Sequence, residues 1–436
     1  MASPAAALVT DRSGVVPAGP PLAVVRAGDV EDVRRTLAEA SRTGTPVVTR
    51  GAGTGLAGAA AAAPGEIVLD VSGLDRILAI DPVDQVARVE PGVITAELDR
   101  AAAAFGLMYA PDPGSVATCT IGGNIATNAG GLRGAKYGVT RDSVLALDVV
   151  LADGTLLHVG RNTVKGVAGL DLTGLIVGSE GTLGVVVGAT LRLLPRPTRI
   201  ATAVAYFASV ADAAAAATGL GAAALRPAVL ELVDAKTLAA IDALRGTGHA
   251  ERGAALLLVQ ADGFGAAEEL EAAAAVLART ATALTTTTDP AVAAELAAAR
   301  RDALPAIEAR GRALIEDIAV PRSRLAEAIG GVHAIAADTG TDIYTFAHAG
   351  DGNLHPIIRL DGDAEPGAVP PAAQRAADDI FALALSLGGT VTAEHGIGLL
   401  KRHWLERELD PAALALQRRI KALFDPAGIL NPGKAI

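Results

Sequence analysis

Runs of aliphatic and β-branched residues, interrupted by glycine-rich polar stretches, divide the 436-residue chain. Leu22–Val25 predicts a strand, Asp29–Ser41 a capped helix, and Pro46–Thr49 a second strand. A glycine-rich stretch, Arg50–Gly58, follows directly, and Ile67–Asp70 is the next strand. Gln85–Val93 predicts a strand ending in a turn, and Ile94–Phe105 a helix. After the small, Asn- and Thr-rich region Pro111–Gly131 comes a hairpin signal, Leu145–Leu151 and Leu156–Val159 around Asp153-Gly154. A third glycine loop, Gly178–Gly184, leads into a Val185–Leu194 strand. Beyond Leu193-Leu194-Pro195-Arg196-Pro197 the pattern alternates strand and helix through Ala201–Phe207, Ala208–Leu220, Val229–Val233, Leu256–Gln260, Glu268–Arg279 and Ala283–Thr287. Glu295–Ala309 then reads as helix.

The most informative pattern lies further on. Ile343–His348 is β-branched and aromatic, Leu354–Leu360 is largely aliphatic, and Asp351-Gly352 between them is a preferred type I′ turn. With that turn central, Gly350 faces Asn353, Ala349 faces Leu354, and His348 falls opposite His355. Directly opposed residues share a face with Cβ atoms roughly 4.5–5.5 Å apart. Two convergent imidazoles can hold a divalent metal, which wants a third ligand and an open position if it is catalytic. Glu394 and His395, in Ala393-Glu394-His395-Gly396-Ile397-Gly398, offer a carboxylate and a further imidazole. A coincidental pair of strand histidines is the alternative. His158, His249, His333 and His403 stand among unrelated neighbours and read as surface or structural residues.

Composition narrows the function classes. A hydrophobic fraction of 51% with only 3% aromatic implies a core of Ala, Val, Leu and Ile, and the length implies about two domains or three small ones. The net charge of −11 leaves no basic stripe for phosphates, so no nucleic-acid partner is expected. The single cysteine, Cys119, excludes an intrachain disulfide and is compatible with a reducing cytoplasm. Met1–Val9 lacks a basic segment and an apolar run long enough for a signal peptide. No run approaches the ~18 apolar residues of a membrane span, although peripheral attachment to a membrane stays compatible.

Glycine loops that follow strands let backbone N–H groups approach phosphate oxygens, because no Cβ intervenes. A P-loop is excluded, since no Gly-Lys-Ser/Thr follows. Gly53-x-Gly55-x-x-Gly58 satisfies the dinucleotide fingerprint, but the Ile67 strand begins too soon for a crossover helix. A phosphate-cradling loop of another fold survives, against an ordinary glycine-rich surface turn.

The joint order of R-G-A-G-T-G-L, P-D-P-G-S, C-T-I-G-G-N-I-A-T-N-A-G-G, K-Y-G, D-L-T-G-L-I-V-G-S-E-G-T-L-G, A-G-D-G-N-L-H-P, A-E-H-G-I-G and L-N-P-G-K covers nearly the whole chain. It resembles the FAD-linked oxidases with a vanillyl-alcohol-oxidase (PCMH)-type flavin domain, and within them the branch of the glycolate oxidase flavin subunits and D-lactate dehydrogenases. The resemblance implies an α+β protein: a two-subdomain PCMH-type FAD-binding domain at 1–197, an α+β cap domain at 198–423, and a tail at 424–436 returning to the flavin domain. It assigns the cofactor to three stretches. The first holds Arg50, Gly51, Ala52, Gly53, Thr54, Gly55 and Leu56; the second Pro111, Gly114, Ser115, Thr120, Ile121, Gly122, Gly123, Asn124, Ala126 and Thr127; the third Glu180, Gly181 and Gly184, with Asn431 from the tail. The first loop has no histidine, so the resemblance implies non-covalent FAD.

The activity implied is oxidation of a D-2-hydroxy acid to the 2-oxo acid with hydride transfer to flavin N5. A divalent metal (Zn, Mn or Fe) on His348, His355 and Glu394 would lower the hydroxyl pKa. His395 would take the proton, since an imidazole ordinarily titrates near 6.5. Arg300 would hold the substrate carboxylate; a solvated basic helix face is the competing expectation. Where the D-2-hydroxyglutarate branch carries a lysine and an asparagine, this chain has Ile315 and Ile357, which favours a short acid such as D-lactate or glycolate. Electrons would pass to an external acceptor, a quinone, cytochrome or electron-transfer flavoprotein, and a homodimer or partner subunits fit the resemblance. D-2-hydroxyglutarate oxidation, a non-redox flavin lyase of the alkyl-dihydroxyacetonephosphate synthase type, and a non-catalytic subunit of a glycolate oxidase complex are the alternatives.

Overall fold

The computed structural model describes residues 9–163, 165–360 and 367–436; Met1–Leu8, which bear on the signal-peptide expectation, lie outside them. Contacts group the chain into two units. The first contains Met1–Gly131, Gly138–Arg196 and Glu394–Ile436, and the second Leu132–Tyr137 and Pro197–Ala393. These differ from the expected boundaries at two places. The chain rejoins the first unit at Glu394 and not at 424, and the short Leu132–Tyr137 segment belongs to the second. Asp262 explains the latter: its carboxylate pairs with Lys136 and accepts the Tyr137 hydroxyl at 2.8 Å.

In the first unit, Ala23–Arg26, Ile67–Asp70 and Val47–Arg50 form a parallel sheet in that order. The helix Val30–Thr43 begins where the Asp29 carboxylate accepts the Asp32 N–H at 2.9 Å, and it buries Val33, Leu37 and Ala40 on one stripe. Residues 51–66 join two adjacent parallel strands without a helix, so the connection is not the dinucleotide-binding crossover. Five antiparallel strands, Ile77–Asp81, Val86–Val89, Val185–Arg192, Val144–Val150 and Leu156–Gly160, make a larger sheet, and Leu107–Met108 pairs with Leu194–Pro195 in a small one. Its core takes Leu98 from the Thr95–Ala103 helix and Ile121 and Ile125 from the Ile121–Thr127 helix. Leu430 lies parallel to Val47, with Val47 N–H on Ile429 O at 2.7 Å.

The second unit is built on an antiparallel sheet. Its order is Ala281–Thr287, Ile200–Phe207, Ala255–Asp262, Val229–Asp234, Asp342–His348, Asn353–Arg359 and Ala313–Ile315, and Ile318–Ala319 also pairs with Asn353–Arg359. Alternation along the strands puts Val229, Val233, Leu256, Leu258, Tyr344, Phe346 and Ile357 in one core with Ile241 and Ile307. Those last two come from the helices Ala235–Arg245 and Ala298–Glu308. The Ala235–Arg245 helix is absent from the sequence expectations. The expected Glu295–Ala309 helix is instead two, Pro290–Leu296 and Ala298–Glu308, meeting at Ala297. No helix among the described residues is long and apolar enough to cross a membrane.

Candidate active site

The Asp342–His348 and Asn353–Arg359 strands form the expected hairpin, but in a different register. His348 pairs with Asn353, Ala347 with Leu354, and Phe346 with His355. The two-residue turn is therefore wrong, and four residues, Ala349–Gly352, make the connection. His348 O accepts N–H bonds from Asp351 at 3.3 Å and Gly352 at 3.1 Å, and Asp351 Oδ1 accepts the Asn353 N–H at 3.2 Å. Gly352 sits at φ +88°, where an added Cβ would overlap Val320 O. The slip is two positions, an even number, so both imidazoles keep the same face of the sheet. Their ring centroids are 5.0 Å apart in a T-shaped arrangement, and both residues are buried.

A partner unseen in the sequence stands beside them. Glu231, on the adjacent Val229–Asp234 strand, pairs directly with His348 in the ladder and is fully buried. Its Oε1 lies 2.7 Å from His348 Nδ1, and its Oε2 accepts from Arg300 Nε at 2.6 Å. Arg300 is not a solvated basic face: its side chain is 13% exposed and its Cζ lies 4.1 Å from the centre of the Phe346 ring. The only sequence signal for Glu231 is a lone acid inside Val-Leu-Glu-Leu-Val, where a doubly covered strand should carry none. Ile315 and Ile357 are cross-strand partners, and Ile357 is fully buried on the face that carries His355.

Asp317, also fully buried, accepts from Thr392 Oγ1 and from the Ala393 N–H, each at 2.8 Å, and so fixes the end of the second unit at the residue before Glu394. In the first unit Glu394 and His395 lie in a bend and not in a strand, each with a side chain 14% exposed. His395 Nε2 is 3.9 Å from Glu394 Oε1, and Glu394 Oε2 lies against the bare Cα of Gly130. Glu180 anchors this bend. Its carboxylate accepts N–H bonds from Ile397 at 2.8 Å and Gly398 at 2.9 Å, and burial pushes its pKa up to about 7 against those bonds and the charge of Lys401.

That changes the part Glu180 can play in the site. Expected beside the cofactor, its carboxylate is engaged within the protein, and its backbone O accepts from Asn431 Nδ2 at 2.7 Å. Asn431 Oδ1 in turn accepts from Lys434 Nζ at 3.1 Å. A Cβ on Gly181 would lie 3.8 Å from Asn431 Nδ2, and Gly184 directly precedes the Val185–Arg192 strand. Asn124 also points inward, donating to Thr95 Oγ1 at 2.7 Å from a buried position, and Thr127 Oγ1 bonds back to Gly123 O at 3.3 Å.

The first two cofactor stretches do meet. A Cβ on Gly51 would overlap Thr120 Oγ1, so a bare backbone is needed where the Arg50–Leu56 loop passes the start of the Ile121–Thr127 helix. Thr120 caps that helix by accepting from Gly123 N at 3.2 Å, Gly122 N donates to Pro91 O at 2.7 Å, and Ile121 fills the core. Gly51, Gly53, Thr54, Gly55 and Leu56 are half-buried, Ala52 is exposed, and Arg50 is buried against Thr10 O. Pro111 is buried, Gly114 exposed, and Ser115 O accepts the Thr118 and Cys119 N–H groups at 2.8 Å; Ala126 O accepts from Glu180 N at 2.8 Å. The close, partly exposed glycine backbone fits an extended phosphate-bearing cofactor.

Comparison with known proteins agrees. The FAD binding domain family matches residues 21–160, and the C-terminal domain of the FAD linked oxidases matches 196–435. Glycolate oxidase subunit GlcD of Bacillus subtilis is 41% identical over 418 residues, covering 95% of this chain and 88% of that protein. GlcD of Escherichia coli K12 is 36% identical over 95% of this chain and 84% of its own length. D-lactate dehydrogenase of Archaeoglobus fulgidus is 36% identical over 95% and 91%. Among solved structures, p-cresol methylhydroxylase superposes with a TM-score of 0.77 at 18% identity, covering 98% of this chain and 91% of that one. Alkyldihydroxyacetonephosphate synthase gives 0.70 at 18% identity over 94% and 75%. At such identities the structures share the fold alone, but the sequence matches run through both units. The chain belongs to the FAD-linked oxidases and is an FAD-dependent oxidoreductase of α+β fold.

Proposed function

We propose that this protein oxidises a short D-2-hydroxy acid, of the D-lactate or glycolate kind, to the 2-oxo acid. The carrying observation is the buried pair His348 and His355, whose rings lie 5.0 Å apart on one sheet face with Glu231 on His348 Nδ1. A neutral His348 that donates through Nδ1 carries its lone pair on Nε2, as a metal ligand must. Two imidazoles plus a carboxylate form a donor set suited to a divalent ion such as Zn, Mn or Fe, and Glu394 is the carboxylate proposed. An ion held there would polarise the substrate hydroxyl as a Lewis acid. FAD, held without a covalent bond by the Arg50–Leu56 and Pro111–Thr127 stretches, supplies the hydride acceptor.

The chain's own residues do the rest. His395 takes the hydroxyl proton on an imidazole nitrogen as the Cα–H bond breaks. Arg300 offers Nη donors to the substrate carboxylate, with its Nε held by Glu231 and its plane supported by Phe346. Ile315, half-buried beside the fully buried Ile357, offers no cation to a second carboxylate, which disfavours one there. The relatives named as D-lactate dehydrogenase and glycolate oxidase subunits support this substrate class and an external electron acceptor. His395→Ala should retain FAD and metal yet form 2-oxo acid about 10²–10⁴-fold more slowly in a dye-coupled assay. An unchanged rate would move the base elsewhere.

A further inference from the structure

Glu231 has no part in the sequence-derived site, yet its carboxylate joins two of that site's residues. It accepts from Arg300 Nε at 2.6 Å and meets His348 Nδ1 at 2.7 Å, from a position with no exposure. An ionised carboxylate has no hydrogen to give, so His348 must present Nδ1–H. The contacts then close on themselves. The His348 ring meets the His355 ring at 5.0 Å, His355 meets Phe346 at 5.2 Å, and Phe346 carries the Arg300 guanidinium at 4.1 Å. Arg300 returns to Glu231. Five side chains from three strands and one helix form a closed circuit within the second unit.

We propose that Glu231 is a positioning residue for this site: one carboxylate sets the ligating nitrogen of His348 and the aim of the Arg300 guanidinium together. This rests on His348 being a metal ligand and Arg300 the carboxylate clamp. Buried imidazole ligands depend on such an acceptor behind them, because it fixes both tautomer and ring orientation. Here the same acceptor also orients the cation, so metal affinity and substrate affinity are tied to one residue. A glutamine at 231 keeps the shape but replaces one acceptor oxygen with an NH2 donor; with its oxygen on Arg300 Nε its NH2 faces His348 Nδ1 and favours the Nε2–H tautomer, which cannot ligate through Nε2.

The test uses FAD-loaded full-length protein. In wild type, ¹⁵N NMR at pH 8, with His348 assigned by difference against His348→Gln, should show the Nδ1–H tautomer; the Nε2–H tautomer would overturn the proposal and needs no Glu231 variant to fold. Glu231→Gln should keep its FAD and bind Mn²⁺ roughly 10–100-fold more weakly in equilibrium dialysis, with a raised KM for the hydroxy acid. A Glu231→Gln protein that melts lower but keeps wild-type Mn²⁺ affinity and KM would make Glu231 merely structural and overturn the proposal. Wild type that binds no Mn²⁺, Zn²⁺ or Fe²⁺ yet shows Nδ1–H would remove the metal from the proposed function while supporting the orienting role of Glu231.

Discussion

His348 stands opposite Asn353, not His355, and the two-position offset lets the imidazoles meet edge to face across the hairpin. The offset is set by Gly352, held at φ +88° against Val320 O. Gly352→Ala must adopt a backbone that costs an L-residue roughly 1–2 kcal/mol and must also push Val320 away. The thermal transition of the second unit should fall by several degrees; an unchanged melting curve would mean the turn tolerates a Cβ.

FAD is predicted to leave with the solvent when the protein is denatured. The Arg50–Leu56 loop offers neither histidine nor cysteine, and the one cysteine, Cys119, is buried. Acid precipitation should give a colourless pellet and a yellow supernatant. A yellow pellet would establish a covalent bond.

His348→Ala removes one of two facing imidazoles and leaves the glycine loops of the first unit untouched. Elemental analysis should show metal lost at unchanged FAD content. Equal metal in variant and wild type would place the ion on other groups.

Glu180 predicts a pH dependence. Its pKa in the folded protein is pushed up to about 7 by burial, whereas an unfolded glutamate titrates near 4.3. Between those values the folded state holds a proton that the unfolded state lacks. Its contribution to stability therefore grows as pH falls from about 7 toward 4.5, and above pH 7 the buried charge weighs against folding. Relative to Glu180→Gln, wild type should gain melting temperature as pH drops from 8 to 5.5. A constant difference across that range would contradict the raised pKa.

The glycine loops, the early strands and the hairpin histidines were legible because each depends on local chemistry: bare backbone, apolar alternation, turn residues. The register was not, because a two-residue and a four-residue turn both keep the histidines on one face and satisfy the same alternation. Glu231 was illegible for another reason. Its partners His348 and Arg300 lie 117 and 69 positions away, so only the folded sheet shows that a lone acid in an apolar strand is paired on both oxygens. The carboxylate partners of Glu180 were illegible for the same reason: it accepts from Ile397 and Gly398, more than 200 residues on.

Anaerobic mixing of the FAD-loaded protein with D-lactate, glycolate, L-lactate and D-2-hydroxyglutarate, followed by the flavin absorbance near 450 nm, measures the proposed half-reaction with no acceptor present. A short D-2-hydroxy acid, D-lactate or glycolate, should bleach the flavin fastest. D-2-hydroxyglutarate should lag, because its second carboxylate would find no cation at Ile315, the half-buried neighbour of Ile357. Faster bleaching by D-2-hydroxyglutarate would mean that another basic residue serves the distal carboxylate, and a flavin that stays oxidised with every acid would contradict the proposed oxidation itself.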